Sequence, residues 1–182
     1  MYGMVNQGLQ DFVVSHHGAD MWAAICVDAG HADIEFASMS QYPDDVTVAL
    51  VGAASARLGM SGEAVLESFG EHWVGYTAHC GYRDVLQMNG TSFRSFLQNL
   101  DAMHLRVALT FTNLQPPSFR CVDSGPNSLT LHYYSSRSGL GPLVVGLVKG
   151  VGKRFQTNVK VQALDPAHDE PGHLRFHVEY DL

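Results

Sequence analysis

The sequence predicts an α+β domain: a mainly helical first part, then a second part that combines one helix with a roughly four-stranded antiparallel sheet. Two observations lead to this fold class. Residues 1–110 carry apolar side chains at spacings of three and four, which is typical of amphipathic helices. Residues 117–182 contain short stretches, separated by turn residues, in which apolar and polar side chains alternate, which is typical of strands.

Glycine, proline and small polar residues divide the first part into helices. Gly18 is suited to end the first helix, Pro43 to begin the third, and Ser61 to cap the fourth. The predicted helices cover residues 3–17, residues 21–29, a segment from residue 43, residues 61–80, and a segment that begins at residue 91 or 92.

The last of these helices ends before Gln115-Pro116-Pro117, because proline lacks a backbone donor and disfavours helix in the residue before it. Its apolar stripe includes His104. The other members of the stripe are Phe93, Phe96, Leu97, Leu100, Val107, Ala108 and Phe111.

In the second part, the residue pattern predicts strands over residues 118–122, 128–135, 157–164 and 173–180, and a helix over residues 140–155. Gly146 and Gly150 give that helix a flat strip for close packing. Polar segments at residues 123–127 and 165–172 join the strands of the two pairs. Since no linker, repeat or low-complexity tract interrupts the sequence, we expect one domain over residues 1–182.

Composition argues against two classes of partner. The 182 residues include 11 Lys and Arg against 18 Asp and Glu, whereas nucleic-acid binding relies on clustered cations. No stretch approaches the roughly 18 consecutive apolar residues of a membrane-spanning helix. The N-terminus also lacks the basic start and cleavage site of a signal peptide. We therefore expect neither a nucleic-acid nor a membrane partner.

Cysteine usage indicates a reducing compartment. Cys26, Cys80 and Cys121 form an odd set without CxxC spacing, so we expect free thiols and a cytoplasmic location. His173 and His177 share one face of a predicted strand, but two ligands without a third make a metal site only a minor alternative.

His104 is the first residue of chemical interest, because an imidazole on an apolar stripe can direct a nitrogen into a dry cavity. Histidine is a common axial ligand of haem iron. On its own the position is weak support, since a single histidine on an apolar helical face is usually a hydrogen-bonded core residue.

The segment Tyr133-Tyr134-Ser135-Ser136-Arg137 is more informative. Alternate side chains of an extended segment share a face, so Tyr133, Ser135 and Arg137 are expected to point the same way. Two hydroxyls and a guanidinium in a row suit carboxylates such as the two propionates of haem. The alternative is an ordinary polar strand end with the arginine paired to an acidic neighbour.

His104, followed about 30 residues later by this Tyr-x-Ser-x-Arg pattern, resembles the H-NOX (haem–nitric oxide/oxygen-binding) family. That family includes the haem domain of soluble guanylate cyclase and stand-alone bacterial sensors. The resemblance extends over essentially the whole chain and is nearest to cyanobacterial stand-alone members. It rests further on the blocks MYGMVN, DDVTVALVGAAS, FGEHWVGY, PPSFRC, LHYYSSR and GLVKGVGKRF, in that order.

The resemblance implies that haem b is buried between the helical part and the part that contains the sheet. His104 matches the proximal ligand of the iron in this family. Tyr133, Ser135 and Arg137 match the residues that bind the propionates.

Three further residues match family positions around the haem. Pro117 matches a proline that presses on the haem and distorts it from planarity, and Trp73 and Leu143 match distal-pocket residues on the side where gas binds. Members that hold oxygen tightly have a distal tyrosine whose hydroxyl bonds the bound gas. Residues 140–145 contain no tyrosine, so the resemblance implies binding of NO and CO with exclusion of O₂.

The function implied by the resemblance is a sensor and not an enzyme. NO would bind five-coordinate ferrous haem and weaken the bond between iron and His104. Relaxation against Pro117 would then shift the N-terminal helices relative to the rest of the domain. A histidine kinase or a cyclic-nucleotide signalling enzyme on a separate chain is the expected partner.

Two alternatives stay open. A haem enzyme of the peroxidase or NO-detoxifying type requires a distal acid–base group, for which His72 is the nearest titratable candidate. A haem-free interaction module would keep the fold, although intact His104 and the intact Tyr-x-Ser-x-Arg pattern argue against it.

Overall fold

The computed structural model describes residues 1–111, 113–164 and 171–181, and within them it has the predicted architecture. The four strands form one antiparallel sheet in the order β1-β2-β4-β3. The prediction of a helical part followed by a sheet with one helix is confirmed. The elements are α1 (Gly3–His17), α2 (Ala19–Asp28), α3 (Asp44–Leu58), α4 (Gly62–His79), α5 (Arg83–Met88), α6 (Phe93–Gln98), α7 (Leu100–Ala108), β1 (Ser118–Gly125), β2 (Ser128–Tyr134), α8 (Gly141–Arg154), β3 (Val159–Ala163) and β4 (His173–Tyr180).

Local sequence signals explain several element boundaries. Helix α1 ends before Gly18, whose φ of 86° lies in the region that favours glycine. Helix α4 begins after Ser61, whose hydroxyl accepts a hydrogen bond from the Ala64 amide at 3.1 Å. These two helices and β4 have the predicted bounds to within a residue.

The single helix predicted from residue 91 or 92 is wrong, because the structure contains two helices, α6 and α7, that meet at Asn99. The Asn99 amide is shared between the carbonyls of Ser95 and Phe96, and its side chain donates to the Asn89 carbonyl at 2.9 Å. This sharing tightens the chain at Asn99 and separates the two helices. The apolar spacing continues through the turn, so periodicity alone gave no sign of it.

Two other elements differ from the prediction. Helix α5 had no predicted counterpart. Helix α7 ends at Ala108, well before the prolines, because the Thr110 amide bonds to Val107 in a tighter turn at 3.0 Å. Strand β1 is longer than predicted: a bulge between Asp123 and Gly125 carries it to the turn.

Two hydrophobic clusters fill the interior, and both contribute walls to the candidate site. The N-terminal cluster consists of Leu9, Phe12, Val13, Trp22, Ile25, Cys26, Phe36, Val46, Leu50, Ala54, Val65 and Phe69. The C-terminal cluster consists of Val74, Leu86, Phe93, Phe96, Leu97, Leu100, Phe119, Leu129, Leu131, Tyr133, Val144, Val148, Val151, Phe176, Val178 and Tyr180.

Helices α4 and α8 join the two clusters by packing backbone against backbone. A Cβ atom on Gly146 would lie 1.9 Å from the Glu67 carbonyl oxygen, and one on Gly70 would lie 2.3 Å from the Leu143 carbonyl oxygen. The predicted flat strip on α8 is therefore confirmed, and Gly70 supplies its counterpart on α4. Ion pairs of Lys149 with Glu67 and of Lys153 with Glu71 flank this contact.

Several smaller predictions have clear outcomes. All three cysteines are free. Among the described residues no group of three His, Cys, Asp or Glu side chains could hold a metal ion, so the His173–His177 alternative gains no support. Within that same part of the chain, no helix has the length and apolar character needed to cross a membrane. Most of the predicted loop at residues 165–172 lies outside the described residues.

Candidate functional site

His104 lies half-buried on α7, with Nδ1 at 2.9 Å from the Leu100 carbonyl oxygen one turn earlier. A carbonyl oxygen can only accept, so Nδ1 carries the proton and the neutral ring keeps a lone pair on Nε2. Burial lowers the pKa of His104, while the Leu100 hydrogen bond and the charge of Asp101 act in the opposite direction. The site therefore offers a neutral imidazole in the tautomer that a metal ligand requires.

Phe119 lies against this imidazole. The two rings are stacked, with centroids 5.4 Å apart and planes at 24°. Phe119 is the second residue of β1, and its amide donates to Oδ1 of Asp101 at 3.0 Å. Because Asp101 and His104 are one turn apart on α7, this bond fixes the start of the strand against the helix that carries the imidazole.

Tyr133, Ser135 and Arg137 follow one another at the end of β2, but not in the predicted local structure. Strand β2 ends at Tyr134, so alternation along a strand does not align the three residues. Instead, the chain bends after the strand, and the Ser135 hydroxyl accepts a hydrogen bond from the Arg137 amide at 3.0 Å. Burial raises the pKa of Tyr133, and the Ser135 hydroxyl and the Arg137 charge oppose this rise.

Arg137 is paired to an acidic residue, as the alternative interpretation expected. Its Nε donates to Oδ2 of Asp44 at 2.7 Å, and its Nη1 donates to the Gln115 carbonyl at 3.2 Å. A guanidinium has five N–H groups, so three remain for a further acceptor after these two contacts with described residues. The N-terminal amine of Met1 and then Arg137 hold the pKa of Asp44 below its usual value.

Trp73 and Leu143 both pack on the N-terminal cluster. The Trp73 ring covers Gly8, where a Cβ atom would lie 2.7 Å from the indole. Its ring centroid is 5.8 Å from that of Phe69. Leu143 is in the first turn of α8, and its carbonyl faces Gly70 of α4. Both predicted distal residues thus contribute apolar surface.

Two clefts lie on either side of the apolar stripe of α7. One, with a volume of about 90 Å³, reaches from Val5 on α1 to Arg137. The other, of about 140 Å³, lies between α5 and α7. Val107 and Phe111, which follow His104 on the predicted stripe, line both clefts. Pro117 is half-buried at the start of β1, two residues before Phe119.

This arrangement has the donor set that haem requires. An imidazole nitrogen with a lone pair can bind iron, and a tyrosine, a serine and an arginine supply hydroxyl and guanidinium donors suited to carboxylates. Phe119 beside the imidazole, and Val107 and Phe111 in the clefts, offer apolar surface to a flat macrocycle. The chemistry of the residues therefore fits a haem group.

His72, the candidate for a distal acid–base group, is paired with an acidic residue of α1. Its Nε2 lies 2.7 Å from Oδ2 of Asp11, and its ring contacts Phe12 and His16 on α1. The side chain is 19% exposed. Its burial comes from the contact between α1 and α4.

Sequence reasoning missed three residues of the site: Asp44, Asp101 and Phe119. In the sequence, Asp44 stands out only as part of the block DDVTVALVGAAS, and Phe119 only as part of the block PPSFRC. Arg137 and Asp44 are 93 residues apart in the sequence, and Phe119 and Asp101 are 18 residues apart. A single sequence gives no signal for such pairs.

The sequence profile of the family described as "Haem-NO-binding" matches residues 2–163. The chain belongs to this family, the H-NOX family. Among curated proteins, the H-NOX chain is 32% identical over 174 residues to soluble guanylate cyclase gcy-35 of Caenorhabditis elegans, covering 92% of this chain and 25% of that protein. It is 28% identical over 175 residues to soluble guanylate cyclase 89Da of Drosophila melanogaster, covering 94% of this chain and 26% of that protein. The chain thus spans about a quarter of these relatives.

Solved structures support the same fold. The H-NOX protein from S. oneidensis in its Fe(II)NO ligation state superposes with a TM-score of 0.88 at 22% identity, with 100% of both chains covered. An oxygen-binding H-NOX domain related to soluble guanylate cyclases, in its oxygen complex, gives a TM-score of 0.83 at 16% identity, covering 100% of this chain and 96% of that one. The expected closeness to cyanobacterial members stays a prediction.

Proposed function

We propose that this chain is a haem-based gas-sensing domain over residues 1–182, with haem b held by His104 as the proximal ligand of the iron. The observation that carries the proposal is the hydrogen bond from Nδ1 of His104 to the Leu100 carbonyl. It leaves the lone pair on Nε2 and limits rotation of the ring. Family membership supports the choice of haem over another metal group.

Tyr133, Ser135 and Arg137 would hold the propionates. Arg137 would donate two parallel hydrogen bonds to a carboxylate, and the two hydroxyls would occupy its remaining lone pairs. Asp44 competes for the same guanidinium and also keeps it at the mouth of the cleft. The arginine would therefore be held in place before the propionate arrives, which lowers the entropy cost of binding.

Ligand choice would depend on the residues of the distal side. Haem, when bound, supplies a ferrous iron whose open face takes up NO or CO. Trp73 and Leu143, which pack on the N-terminal cluster, would offer apolar surface there, and no tyrosine lies within residues 140–145. Oxygen gains much more than NO or CO from a hydroxyl donor, because bound oxygen acquires negative charge. We therefore expect NO and CO to bind and O₂ to be excluded.

The signal would be a relative movement of the two clusters. Release of His104 and relief of contact at Pro117 would change the position of β1, α7 and the N-terminal helices around the close contact of α4 and α8. The chain would act as the sensor of a cytoplasmic pathway and carry no catalysis itself. We propose a histidine kinase or a cyclic-nucleotide enzyme on a separate chain as its partner, and the guanylate cyclase relatives support the cyclase class.

An absorption spectrum tests this proposal. The purified protein, reconstituted with haem and reduced, should give a five-coordinate ferrous spectrum that is unchanged in air and changes on addition of NO or CO. A stable complex formed in air would contradict exclusion of O₂. Failure to take up haem would contradict the proposed function as a whole.

A further inference from the structure

We propose that Phe119 is a positioning residue that orients the His104 imidazole and links it to Tyr133. This inference rests on the proposed haem function. The Phe119 ring stacks on His104 at a centroid distance of 5.4 Å, and it meets the Tyr133 ring at 5.3 Å. Three rings therefore form a row from the proximal ligand to the first propionate-binding residue.

The backbone around Phe119 is held on two sides. Its amide donates to Asp101 on α7, and it lies directly opposite Tyr133 in the register of β1 and β2. The side chain is 9% exposed within the C-terminal cluster, so it has little freedom to leave the imidazole. Phe119 thus has the fixed position that is needed to set the orientation of a neighbouring ring.

The stacked ring has a specific effect that ordinary apolar filling lacks. The Leu100 carbonyl fixes one edge of the imidazole through Nδ1, and a ring can still turn about that bond or flip away from it. A parallel aromatic face at 24° disfavours such rotation, because a turned imidazole loses the stacking contact. An aliphatic side chain of similar size would fill the space and leave the ring free to turn.

The first test uses the haem-free protein. The ¹⁵N shifts of the His104 ring, assigned with His104→Gln, report its tautomer at about pH 8, where a histidine is neutral. Wild type should give the Nδ1–H tautomer. Phe119→Leu should raise the population of the other tautomer by about twofold to tenfold, the bias expected from one aromatic pair. Phe119→Tyr keeps the ring and should restore the wild-type pattern.

Phe176→Leu is the matched control. Phe176 lies in the same C-terminal cluster, opposite Leu131 in the sheet, and loses the same atoms on substitution. It should lower stability and leave the tautomer unchanged. The proposal is overturned if Phe119→Leu keeps the wild-type tautomer, or if Phe176→Leu changes it equally.

The second test uses the haem-loaded ferrous protein. The iron–histidine stretching band should shift and broaden in Phe119→Leu and return in Phe119→Tyr, because the stretch depends on ring orientation. An identical band in all variants would overturn the proposal. If the chain takes up no haem, the proposed function fails, while the haem-free comparison still decides whether Phe119 orients His104.

Discussion

Arg137 connects three parts of the molecule that are far apart in sequence. From its own position beyond β2, its guanidinium contacts Asp44 at the start of α3 and the Gln115 carbonyl before β1. Its side chain is 27% exposed, so it stands at the boundary between cleft and solvent. A residue in this position can bind an incoming carboxylate without a large rearrangement.

Arg137→Ala should weaken haem retention. Hydrogen bonds to charged groups contribute about 1.5–3 kcal/mol, so we expect haem to dissociate about tenfold to a hundredfold more readily. The measurement is the rate of haem transfer to an excess of apomyoglobin. Arg57→Ala is the control, because Arg57 pairs with Asp28 in the N-terminal part and contacts no cleft residue that we describe. Equal retention by both variants would favour an ordinary strand-end arginine.

Asp44 should contribute to stability in a pH-dependent way. Its pKa in the folded protein is lowered by the N-terminal amine and by Arg137. A carboxylate with a lowered pKa stabilises the fold above its unfolded pKa of about 3.9, and the contribution is lost as pH falls through the folded value.

We therefore expect Asp44→Asn to be less stable than wild type at pH 7 by at most about 1 kcal/mol, since the side chain is 46% exposed. The difference should begin to shrink near pH 4 and disappear only below the lowered pKa of Asp44 in the folded protein. Thermal unfolding at pH 7 and at a series of pH values below 4 measures it, with Asp45→Asn as the neighbouring control. A difference that does not change with pH would show that the charge is not responsible.

At the scale of elements, α4 and α8 pack backbone against backbone, so their contact should be sensitive to added volume. Gly146→Ala would place a methyl group against the Glu67 carbonyl, and backbone cannot move aside cheaply. We expect a loss of about 1–3 kcal/mol in the free energy of unfolding.

The control for that substitution is a glycine of α4 that lies outside the contact with α8. Gly75 is exposed on α4, and a Cβ atom there meets nothing within 4 Å. Gly75→Ala should therefore stabilise the protein by up to about 1 kcal/mol through helix propensity. Chemical denaturation of both variants gives the comparison, and a neutral Gly146→Ala would contradict the backbone contact.

Elements with their own periodicity were predictable from the sequence, and elements shaped by long-range contacts were not. The period-two pattern of His173–Tyr180 gave β4 its bounds, and Gly18 and Ser61 gave the ends of α1 and α4. The turn at Asn99 depends on a side-chain bond to Asn89, which leaves no trace in the apolar spacing.

The candidate site divides in the same way. His104 and the Tyr-x-Ser-x-Arg pattern carry their own sequence signal, so they were predictable as candidates. Phe119 and Asp44 carry none, because a phenylalanine in a strand and an aspartate at a helix start are ordinary. Only the folded chain places them beside His104 and Arg137.

At the scale of the whole molecule, haem should stabilise both clusters together. Its proposed ligands belong to the C-terminal part, while Val5, Trp73 and Leu143 belong with the N-terminal cluster. A ligand at one hundred times its Kd stabilises by about 2.7 kcal/mol. Both tryptophans, Trp22 and Trp73, pack in the N-terminal cluster, so their fluorescence reports the unfolding of that cluster.

Unfolding curves from tryptophan fluorescence and from far-ultraviolet circular dichroism should both move to higher temperature when haem is added. The shift should be equal, because haem contacts both halves. A shift in circular dichroism alone would mean that haem binds the C-terminal part without reaching the N-terminal cluster.

The bond between His104 and iron is the most direct point of test. His104→Gly, loaded with haem and reduced, should lack a protein axial ligand, and free imidazole should restore the five-coordinate ferrous spectrum. His79→Gly, which changes an exposed histidine of α4, should keep the wild-type spectrum without imidazole. If His104→Gly shows the wild-type ferrous spectrum in the absence of imidazole, His104 is not the ligand.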